Sequence, residues 1–269
     1  MSKKHTWNKT LTVIIAVSFS AVVLVLGVMG GIMLFAPKSN PEYVAHRGFS
    51  EYYPDNTVAS FTAAAENEGF FGIETDVRKT SDGFLVCSHD SDAVFVDGTK
   101  RTVEKSTFAE LTEKPLKNDK TQDDAYISTF KEYLSICKSG NKVAVVELKD
   151  VFTEEMVAQV LAEIDEVYDR KKCTVIAFDY DSLYRVRLAD PTIELQYLSS
   201  EKKDPHFEDC LKEGFSIDVH YKVVTLGLVK KFHDKGLEVN VWTINDNRRK
   251  NRVRRLGVDY ITSNLFYEN

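Results

Sequence analysis

Apolar, often β-branched runs alternate with amphipathic runs from residue 43 to the end of the chain. The apolar runs predict strands over 43–47, 72–78, 142–148, 173–178, 192–198, 216–220, 238–244 and 259–263. The runs between them predict helices over 57–68, 129–139, 153–169, 181–189, 206–213, 225–235 and 246–256. Eight strands separated by seven helices are typical of a parallel α/β protein. In a segment of this length, the pattern favours a single (β/α)8 TIM barrel over an open doubly wound sheet.

One segment interrupts this alternation. The stretch 78–90 reads "RKTSDGFLVCSHD", with a turn at 81–83, a second apolar run and too few residues for a helix. It predicts a β-hairpin that returns His89 to the place where the second strand emerges. The irregular stretch at about 91–126 predicts a small insertion over one end of the barrel. Because the chain stops soon after the eighth strand, we expect the last barrel helix to be truncated or missing.

An uncharged apolar segment occupies residues 11–36. It is long enough to cross a bilayer core of roughly 30 Å. Three lysines precede it, so the positive-inside rule places residues 1–10 in the cytoplasm. A cleaved signal peptide is the alternative, but its apolar core normally spans about 7–15 residues, and no A-x-A site follows here. The sequence therefore predicts a single-pass membrane protein with an uncleaved anchor and an extracytoplasmic domain over 41–269.

Composition excludes some classes of partner and site. The formal net charge of −6 gives no indication of a nucleic-acid binder. The four cysteines lie far apart with no C-x-x-C pair, which argues against a zinc site. Oligomeric state and disulfide bonding are left open by the sequence.

Two strand-end motifs carry pairs of charged residues. Side chains in a barrel strand point alternately inward and outward, so residues two apart share a face. Glu74 and Asp76 in "GIETDVR" share a face by this rule, and so do Glu147 and Lys149 in "VAVVELKD". Both pairs end their strands on the side where barrel enzymes carry their chemistry.

The three carboxylates of these motifs, Glu74, Asp76 and Glu147, point to a metal. Together in one cavity they would repel one another, and burying them unpaired would be costly. A hard divalent cation resolves this conflict, because oxygen ligands suit Ca²⁺ or Mg²⁺. With the cation, Arg47 and Lys149 would form an electropositive pocket for a phosphate group. The sequence therefore predicts a phosphodiester substrate beside one divalent cation, Ca²⁺ or Mg²⁺.

Two histidines stand beside these acids at strand ends. His46 precedes Arg47 at the end of the first strand, and His89 ends the hairpin. Cleaving a phosphodiester requires a base that activates the nucleophile and an acid that protonates the leaving oxygen. Histidine serves in both roles near neutral pH. Each motif is common by itself, whereas their ordered combination at strand ends is rare.

This combination resembles the glycerophosphodiester phosphodiesterase family of phosphatidylinositol-phospholipase-C-like barrels. The similarity runs through "AHRGFSEYYPDNTVASF", "GIETDVRKTSDGFLVCSHD", "ISTFKEYL", "VAVVELK", "VNVWTIN" and "LGVDYITSN", in the family order. The resemblance implies an acid–base pair (His46, His89), metal ligands (Glu74, Asp76, Glu147) and phosphate or substrate contacts (Arg47, Lys149, Trp242). On physical grounds alone, Trp242 would be assigned to the barrel core rather than to a pocket wall.

Two motifs depart from the family pattern. The usual P-E-N-T reads Pro-Asp-Asn-Thr at 54–57, which shortens one acid and keeps Asn56. The usual I-T-D near the eighth strand reads Ile-Thr-Ser-Asn at 261–264, so a carboxylate is absent there. Neither change removes a proposed catalytic group. They bear on substrate choice and stability more than on activity.

Two further features suggest secondary roles. Asp218 and His220 share a face in "SIDVHY", where a structural role is favoured over one in the pocket. The basic stretch "NRRKNRVRR" at 247–255 is most simply a solvated helix face. It could alternatively contact anionic lipid headgroups or polymer phosphates at a membrane surface.

The resemblance, with the predicted anchor, implies an extracytoplasmic, metal-dependent hydrolase that converts glycerophosphodiesters to sn-glycerol 3-phosphate and an alcohol. One alternative is headgroup cleavage from lysophospholipids, as by a lysophospholipase D or a sphingomyelinase-D-like enzyme. A second alternative is a non-catalytic barrel that binds phosphate-bearing envelope polymers. The two histidines argue against a pure binder, which has no need of an acid–base pair.

Overall fold

The structure is a computed structural model that describes residues 40–267. The strands are β1 (Glu42–Ala45), β2 (Phe70–Lys79), β3 (Leu85–Cys87), β4 (Asp92–Val94), β5 (Lys100–Thr102), β6 (Ser128–Thr129), β7 (Val143–Leu148), β8 (Cys173–Ala177), β9 (Glu194–Ser199), β10 (Ser216–His220), β11 (Val239–Trp242) and β12 (Tyr260–Ser263). The α-helices are α1 (Val58–Glu66), α2 (Phe108–Leu111), α3 (Phe130–Ser139), α4 (Glu154–Val167), α5 (Tyr180–Ala189), α6 (His206–Glu213), α7 (Leu226–His233) and α8 (Asn247–Leu256).

Eight parallel strands form a closed barrel. They follow one another in the order β1, β2, β7, β8, β9, β10, β11 and β12. Closure comes from β1, which pairs in parallel with β12 on one side and with β2 on the other. The predicted TIM barrel is therefore confirmed over an open doubly wound sheet, because the first and last barrel strands pair with each other and leave no edge.

The hairpin after the second strand lifts part of the chain above the barrel. The last residues of β2 pair antiparallel with β3, with Val77 opposite Cys87. The short strand β6 then pairs with β3. The stretch at 91–126, expected to be irregular, contains the β4–β5 hairpin, a 3-10 helix at Val103–Lys105 and the single turn α2. These elements share a small apolar cluster of their own beside the main core.

Helix starts follow the sequence closely. Thr129 begins α3 with a capping box, in which its hydroxyl accepts from the Glu132 N–H and the Glu132 carboxylate accepts from the Thr129 N–H. Thr57 begins α1 in the same way with Ser60 as its partner. Such caps stabilise a helix by about 1 kcal/mol each. They fix where α1 and α3 begin and thereby set the lengths of the loops at the strand ends.

The apolar core has two parts. The larger lies between the strands and the helices, and all four cysteines are buried there or beside it as free thiols. A smaller cluster inside the barrel contains Val44, Val145, Ile176 and Leu198. This inner cluster lies below the mouth of the barrel, so polar groups that point inwards above it share a restricted space.

The predicted anchor at 11–36 lies outside the described residues. None of the helices between residues 40 and 267 combines the length and the apolarity that a bilayer crossing requires. The basic segment 247–255 forms α8, but it is only partly a solvated face. Lys250 is buried, with its ammonium 4.7 Å from the centre of the Tyr267 ring. Arg252 donates to the backbone carbonyl of Tyr221 at 2.8 Å, so two of these cations serve the packing of the fold.

Candidate active site

A tight turn at the end of β1 brings backbone and side chains to the barrel mouth. Arg47 (φ 55°) and Gly48 (φ 81°) are both in the left-handed region. A Cβ on Gly48 would lie 2.5 Å from Ser60 Oγ, so the turn packs against α1 only with glycine there. In this conformation the Arg47 N–H points inwards and donates to Glu74 Oε2 at 2.8 Å.

Three buried carboxylates meet at this mouth. Glu74 and Asp76 lie on β2, and Glu147 is paired in register with Asp76 on the neighbouring strand β7. One oxygen of each carboxylate lies within 4.8 Å of one oxygen of the others. All three residues are buried. Adjacent parallel strands in register, each with an inward-pointing acid at the same level, account for this cluster.

Burial, mutual repulsion and the neighbouring cationic groups together shift the pKa values of these acids in different directions. Burial, with the charges of Asp76 and Glu147, raises the pKa of Glu74 well above its usual range. Burial and then Asp76 raise the pKa of Glu147 to about 7. Burial opposes ionisation of Asp76 too, but the charges of Arg47 and Lys149 outweigh it and lower the pKa of that acid.

The residues present fit a hard divalent cation. The donors are carboxylate oxygens, and Asp76 Oδ1 is a buried oxygen without a hydrogen-bond partner. A cation among Glu74, Asp76 and Glu147 would relieve their repulsion, and Asp76 Oδ1 could bind it as a ligand. The predicted ligand set is therefore brought together by the fold.

Arg47 and Lys149 border the carboxylates. Arg47 Nε lies 3.2 Å from Asp76 Oδ2. Lys149 Nζ lies 2.8 Å from Glu147 Oε1 and 3.4 Å from Asp76 Oδ1. These ion pairs hold both cationic groups at the mouth, where their remaining N–H groups can contact a phosphate.

His46 is held in one orientation by a residue near the end of the chain. Its Nδ1 lies 2.7 Å from Asn264 Oδ1. An amide oxygen only accepts, so Nδ1–H donates to it and Nε2 carries no proton in the neutral ring. Burial, followed by the charge of Arg47, lowers the pKa of His46 to about 4. His46 is thus a neutral imidazole at physiological pH.

His89 stands at the end of the returning hairpin, as predicted from the turn at 81–83. Its Nδ1 lies 2.8 Å from Asp90 Oδ1. Its backbone carbonyl accepts from Arg78 Nη2 at 2.9 Å, which fixes the hairpin to the barrel. Unlike His46, the His89 side chain is 40 % exposed.

Two cavities meet at the mouth, and Arg47 and His89 line both. The barrel cavity, of about 150 Å³, is also lined by His46, Glu74, Glu147, Lys149 and Trp242. The insertion cavity, of about 260 Å³, lies between the β1 turn and residues 116–120 of the insertion. Lys120 connects its two sides, because its ammonium lies 2.8 Å from Asp55 Oδ1. All of the predicted site residues except Asp76 line the barrel cavity.

Comparisons with known proteins identify the family. A family model described as "Glycerophosphoryl diester phosphodiesterase family" matches residues 46–265. The chain belongs to this family.

Named relatives agree with this assignment. Glycerophosphodiester phosphodiesterase 1 of Bos taurus is 25% identical over 85% of this chain and 80% of its own length. A glycerophosphodiester phosphodiesterase of Bacillus altitudinis is 26% identical over 81% of this chain and 91% of its own. The fold matches an Oleispira antarctica phosphodiesterase with bound sn-glycerol-3-phosphate (TM-score 0.74, 23% identity, 83% of this chain and 93% of that one). The chain is therefore a phosphoric diester hydrolase, and the non-catalytic alternative has no support.

Three residues with a place in this phosphodiesterase site were not among the site residues predicted from the sequence. Asn56 donates to Asp76 Oδ2 at 2.8 Å and so orients a predicted metal ligand. Asn264, noted only as a missing carboxylate, contacts His46. Asp218, given a structural role, lines the barrel cavity. The P-D-N-T motif was a usable signal for Asn56, and the face shared with His220 was one for Asp218. The contact of Asn264 with His46 joins residues far apart in sequence.

Trp242 belongs to both environments that were considered for it. Its side chain packs against the inner apolar cluster and also lines the barrel cavity. The Phe178 ring meets it edge-on, with ring centroids 5.7 Å apart. Its indole N–H donates to the backbone carbonyl of Asp218 at 3.2 Å. The indole is thus fixed as a rigid wall of the cavity.

Proposed function

We propose that this phosphodiesterase hydrolyses glycerophosphodiesters to sn-glycerol 3-phosphate and an alcohol, with one divalent cation, Ca²⁺ or Mg²⁺, as cofactor. The observation that carries this proposal is the buried triad Glu74, Asp76 and Glu147, bordered by Arg47 and Lys149. A site of this composition suits a phosphate beside a hard cation. The family match and the sn-glycerol-3-phosphate bound to the Oleispira relative support the substrate class.

The two histidines take different roles in this proposal. His46 is partly buried and neutral and lines only the barrel cavity of the two, so it acts as the general base that takes the proton of the attacking nucleophile on Nε2. His89 lines both cavities and acts as the general acid that protonates the leaving oxygen. The leaving alcohol then occupies the insertion cavity, and the glycerol arm retained on the phosphate occupies the barrel cavity.

The cationic groups position and stabilise the phosphate. Arg47 and Lys149 would contact its non-bridging oxygens, where negative charge grows in the transition state. The divalent cation, held by Glu74, Asp76 and Glu147, supplies further charge neutralisation when bound. Asn56 keeps Asp76 in place through its 2.8 Å hydrogen bond.

A product-release assay tests the proposal. We expect the purified full-length chain to release sn-glycerol 3-phosphate from diesters with small polar headgroups. Activity should disappear with a chelator and return with added Ca²⁺ or Mg²⁺. Lysophospholipids presented as micelles test the lysophospholipase D alternative. Hydrolysis of the micellar substrate alone, without turnover of any soluble diester, would contradict the proposal.

We also propose that residues 11–36 anchor the chain in a membrane, with the domain at 41–269 outside the cytoplasm. The uncharged apolar segment and the lysines before it support this arrangement. We expect the full-length protein to stay in membranes after an alkaline wash and its domain to be digested by protease added to intact spheroplasts. A matched chain without residues 11–36 should be released from the membranes by the same alkaline wash. Extraction of the full-length chain by the wash, or protection from protease, would contradict this prediction.

A further inference from the structure

One carboxylate oxygen of a buried acid on the sixth barrel strand lacks a hydrogen-bond partner in the described part of the chain. Asp218, in the middle of β10, is 1 % exposed and lines the barrel cavity. Its Oδ1 makes no hydrogen bond within the described residues. Asn240 is its neighbour in register on β11. The Asn240 amide donates to Thr262 Oγ1 at 3.0 Å, and a hydrogen bond from it to the Asp218 carboxyl partly offsets the effect of burial on the pKa of that acid. Asp218 Oδ1 remains the oxygen without a partner.

An unpartnered buried oxygen of this kind calls for an explanation. Buried polar side-chain atoms nearly always have a hydrogen-bond partner, and leaving one without costs about 1–3 kcal/mol. Asp218 is also held firmly, because its backbone carbonyl accepts from the Trp242 indole N–H. The rigid carboxyl beside the cavity is therefore suited to a partner that arrives with the substrate.

The surroundings of Asp218 indicate the chemistry of that partner. The cavity wall formed by β8, β9 and β11 is apolar, with Ile176, Phe178, Leu198 and Trp242. The opposite wall carries the histidines, the cationic groups and the metal-binding acids. A ligand that spans the cavity thus has a phosphate at one end, a short carbon chain along the apolar wall and a hydroxyl at Asp218. The volume of about 150 Å³ has no room to enclose a long acyl chain.

We propose that Asp218 is a specificity-determining residue that hydrogen-bonds the terminal hydroxyl of the glycerol arm and thereby selects deacylated glycerophosphodiesters over lysophospholipids. This inference rests on the proposed function and narrows its substrate class. A lysophospholipid acylated at that position carries an ester in place of the hydroxyl and leaves the carboxyl unpaired. Burial, followed by the charge of Glu147, raises the pKa of Asp218 well above its usual range.

Two substrates that differ in one hydroxyl test the proposal. One is a glycerophosphodiester with an ethanolamine leaving group. The other is its analogue built on propane-1,2-diol, which lacks only the terminal hydroxyl. For the wild-type holoenzyme we expect kcat/KM to favour the first by at least about 30-fold, because the site would leave a buried polar group unpaired with the second. In Asp218→Leu this preference should fall below about 3-fold, and Asp218→Asn should retain part of it.

Gln196→Leu is the matched control. Gln196 is 5 % exposed, and its Oε1 also lacks a partner, but it lines a separate cavity among the first residues of the strands. This variant replaces a buried polar residue with leucine at the opposite end of the barrel. We expect it to keep the wild-type preference between the two substrates, whatever its effect on stability.

Several outcomes would overturn the inference. One is a wild-type enzyme that does not distinguish the two substrates, and another is an equal loss on both in Asp218→Leu, which would indicate a structural role. If Asp218→Leu does not fold, product inhibition of the wild type decides. We expect sn-glycerol 3-phosphate to inhibit at least about 10-fold more strongly than propane-1,2-diol phosphate, and equal inhibition would refute the role of Asp218. Failure of the wild type to hydrolyse any glycerophosphodiester would instead refute the proposed function.

Discussion

Replacing His46 with glutamine is expected to lower kcat by about two to four orders of magnitude while the KM for substrate changes little. The reason is that the partly buried, neutral imidazole accepts the proton of the attacking nucleophile, and glutamine offers no basic nitrogen. His89→Gln should cause a loss of similar size, because the leaving oxygen then departs unprotonated. Steady-state release of sn-glycerol 3-phosphate measures both effects.

Another histidine provides the control for this experiment. His206 lies at the start of α6, stacks on Tyr180 and lines neither cavity. His206→Gln should retain wild-type turnover. Turnover close to wild type in either His46→Gln or His89→Gln would show that the assigned residue is not the acid or base.

The pH profile separates the base from the acid. The pKa of His46 is lowered to about 4, so this group limits activity only in strongly acidic solution. Asn264→Asp places a carboxylate 2.7 Å from its ring nitrogen, where the amide oxygen now lies. A nearby negative charge favours the imidazolium and raises its pKa. The acid limb of kcat/KM should therefore move to higher pH in this variant. An unmoved acid limb would contradict His46 as the base.

Removal of the divalent cation is expected to abolish activity and to destabilise the protein, more at pH 8 than at pH 5. In the cation-free protein, the pKa of Glu147 is raised to about 7 and that of Glu74 is raised well above its usual range. The folded state then binds more protons than the unfolded state between the ordinary and the raised pKa values. Stability from these groups is present below pH 4.5 and falls as the pH rises through 7.

At high pH, where Glu74 and Glu147 have lost their protons, a bound cation neutralises the negative charge of these carboxylates. Saturating Ca²⁺ or Mg²⁺ should raise the melting temperature by roughly 5–10 °C at pH 8 and by much less at pH 5. Differential scanning calorimetry at the two pH values measures this difference. An equal shift at both pH values would contradict a cation held by these carboxylates.

Variants of the acids localise the effect. Glu147→Gln should lose most activity and most of the cation-dependent rise in melting temperature. Its cation-free form should nevertheless melt at a higher temperature than the cation-free wild type at pH 8, because one buried charge is removed. The control is Glu163→Gln, which changes a partly buried glutamate on α4, hydrogen-bonded to Gln159 and remote from both cavities. It should leave activity and the shift unchanged. A full cation-dependent shift in Glu147→Gln would remove that residue from the ligand set.

The barrel and the grouping of the acids followed from local patterns. The period-two pattern in "GIETDVR" and "VAVVELKD" predicts which side chains share a face, and parallel pairing of β2 with β7 then brings Asp76 beside Glu147. The Ser-Asp-Gly turn at 81–83 was sufficient to predict the return of His89. Each of these features depends on residues within one or two adjacent elements, which is the range over which sequence patterns determine geometry.

Other contacts could not be read from such patterns. Asn264 contacts His46 from a distance of 218 residues along the chain. Lys250 belongs to a basic run that is most simply solvated, yet it is buried beside the Tyr267 ring. Hydrophobic periodicity assigns a residue to a face of its own element. Periodicity does not identify which side chain of another element contacts that residue.

The sequence by itself determined the order of strands and helices, and with them the level of the barrel at which the charged residues stand. Only the tertiary structure decided how those residues share their partners. Asp76 Oδ2 is held by Arg47 and Asn56, whereas Asp76 Oδ1 and Asp218 Oδ1 each lack a hydrogen-bond partner within the described residues. The physical reason is that closure of a parallel barrel brings together strand ends from the whole length of the chain. Hydrogen bonds and charges in the enclosed mouth then depend on distances that no single segment fixes.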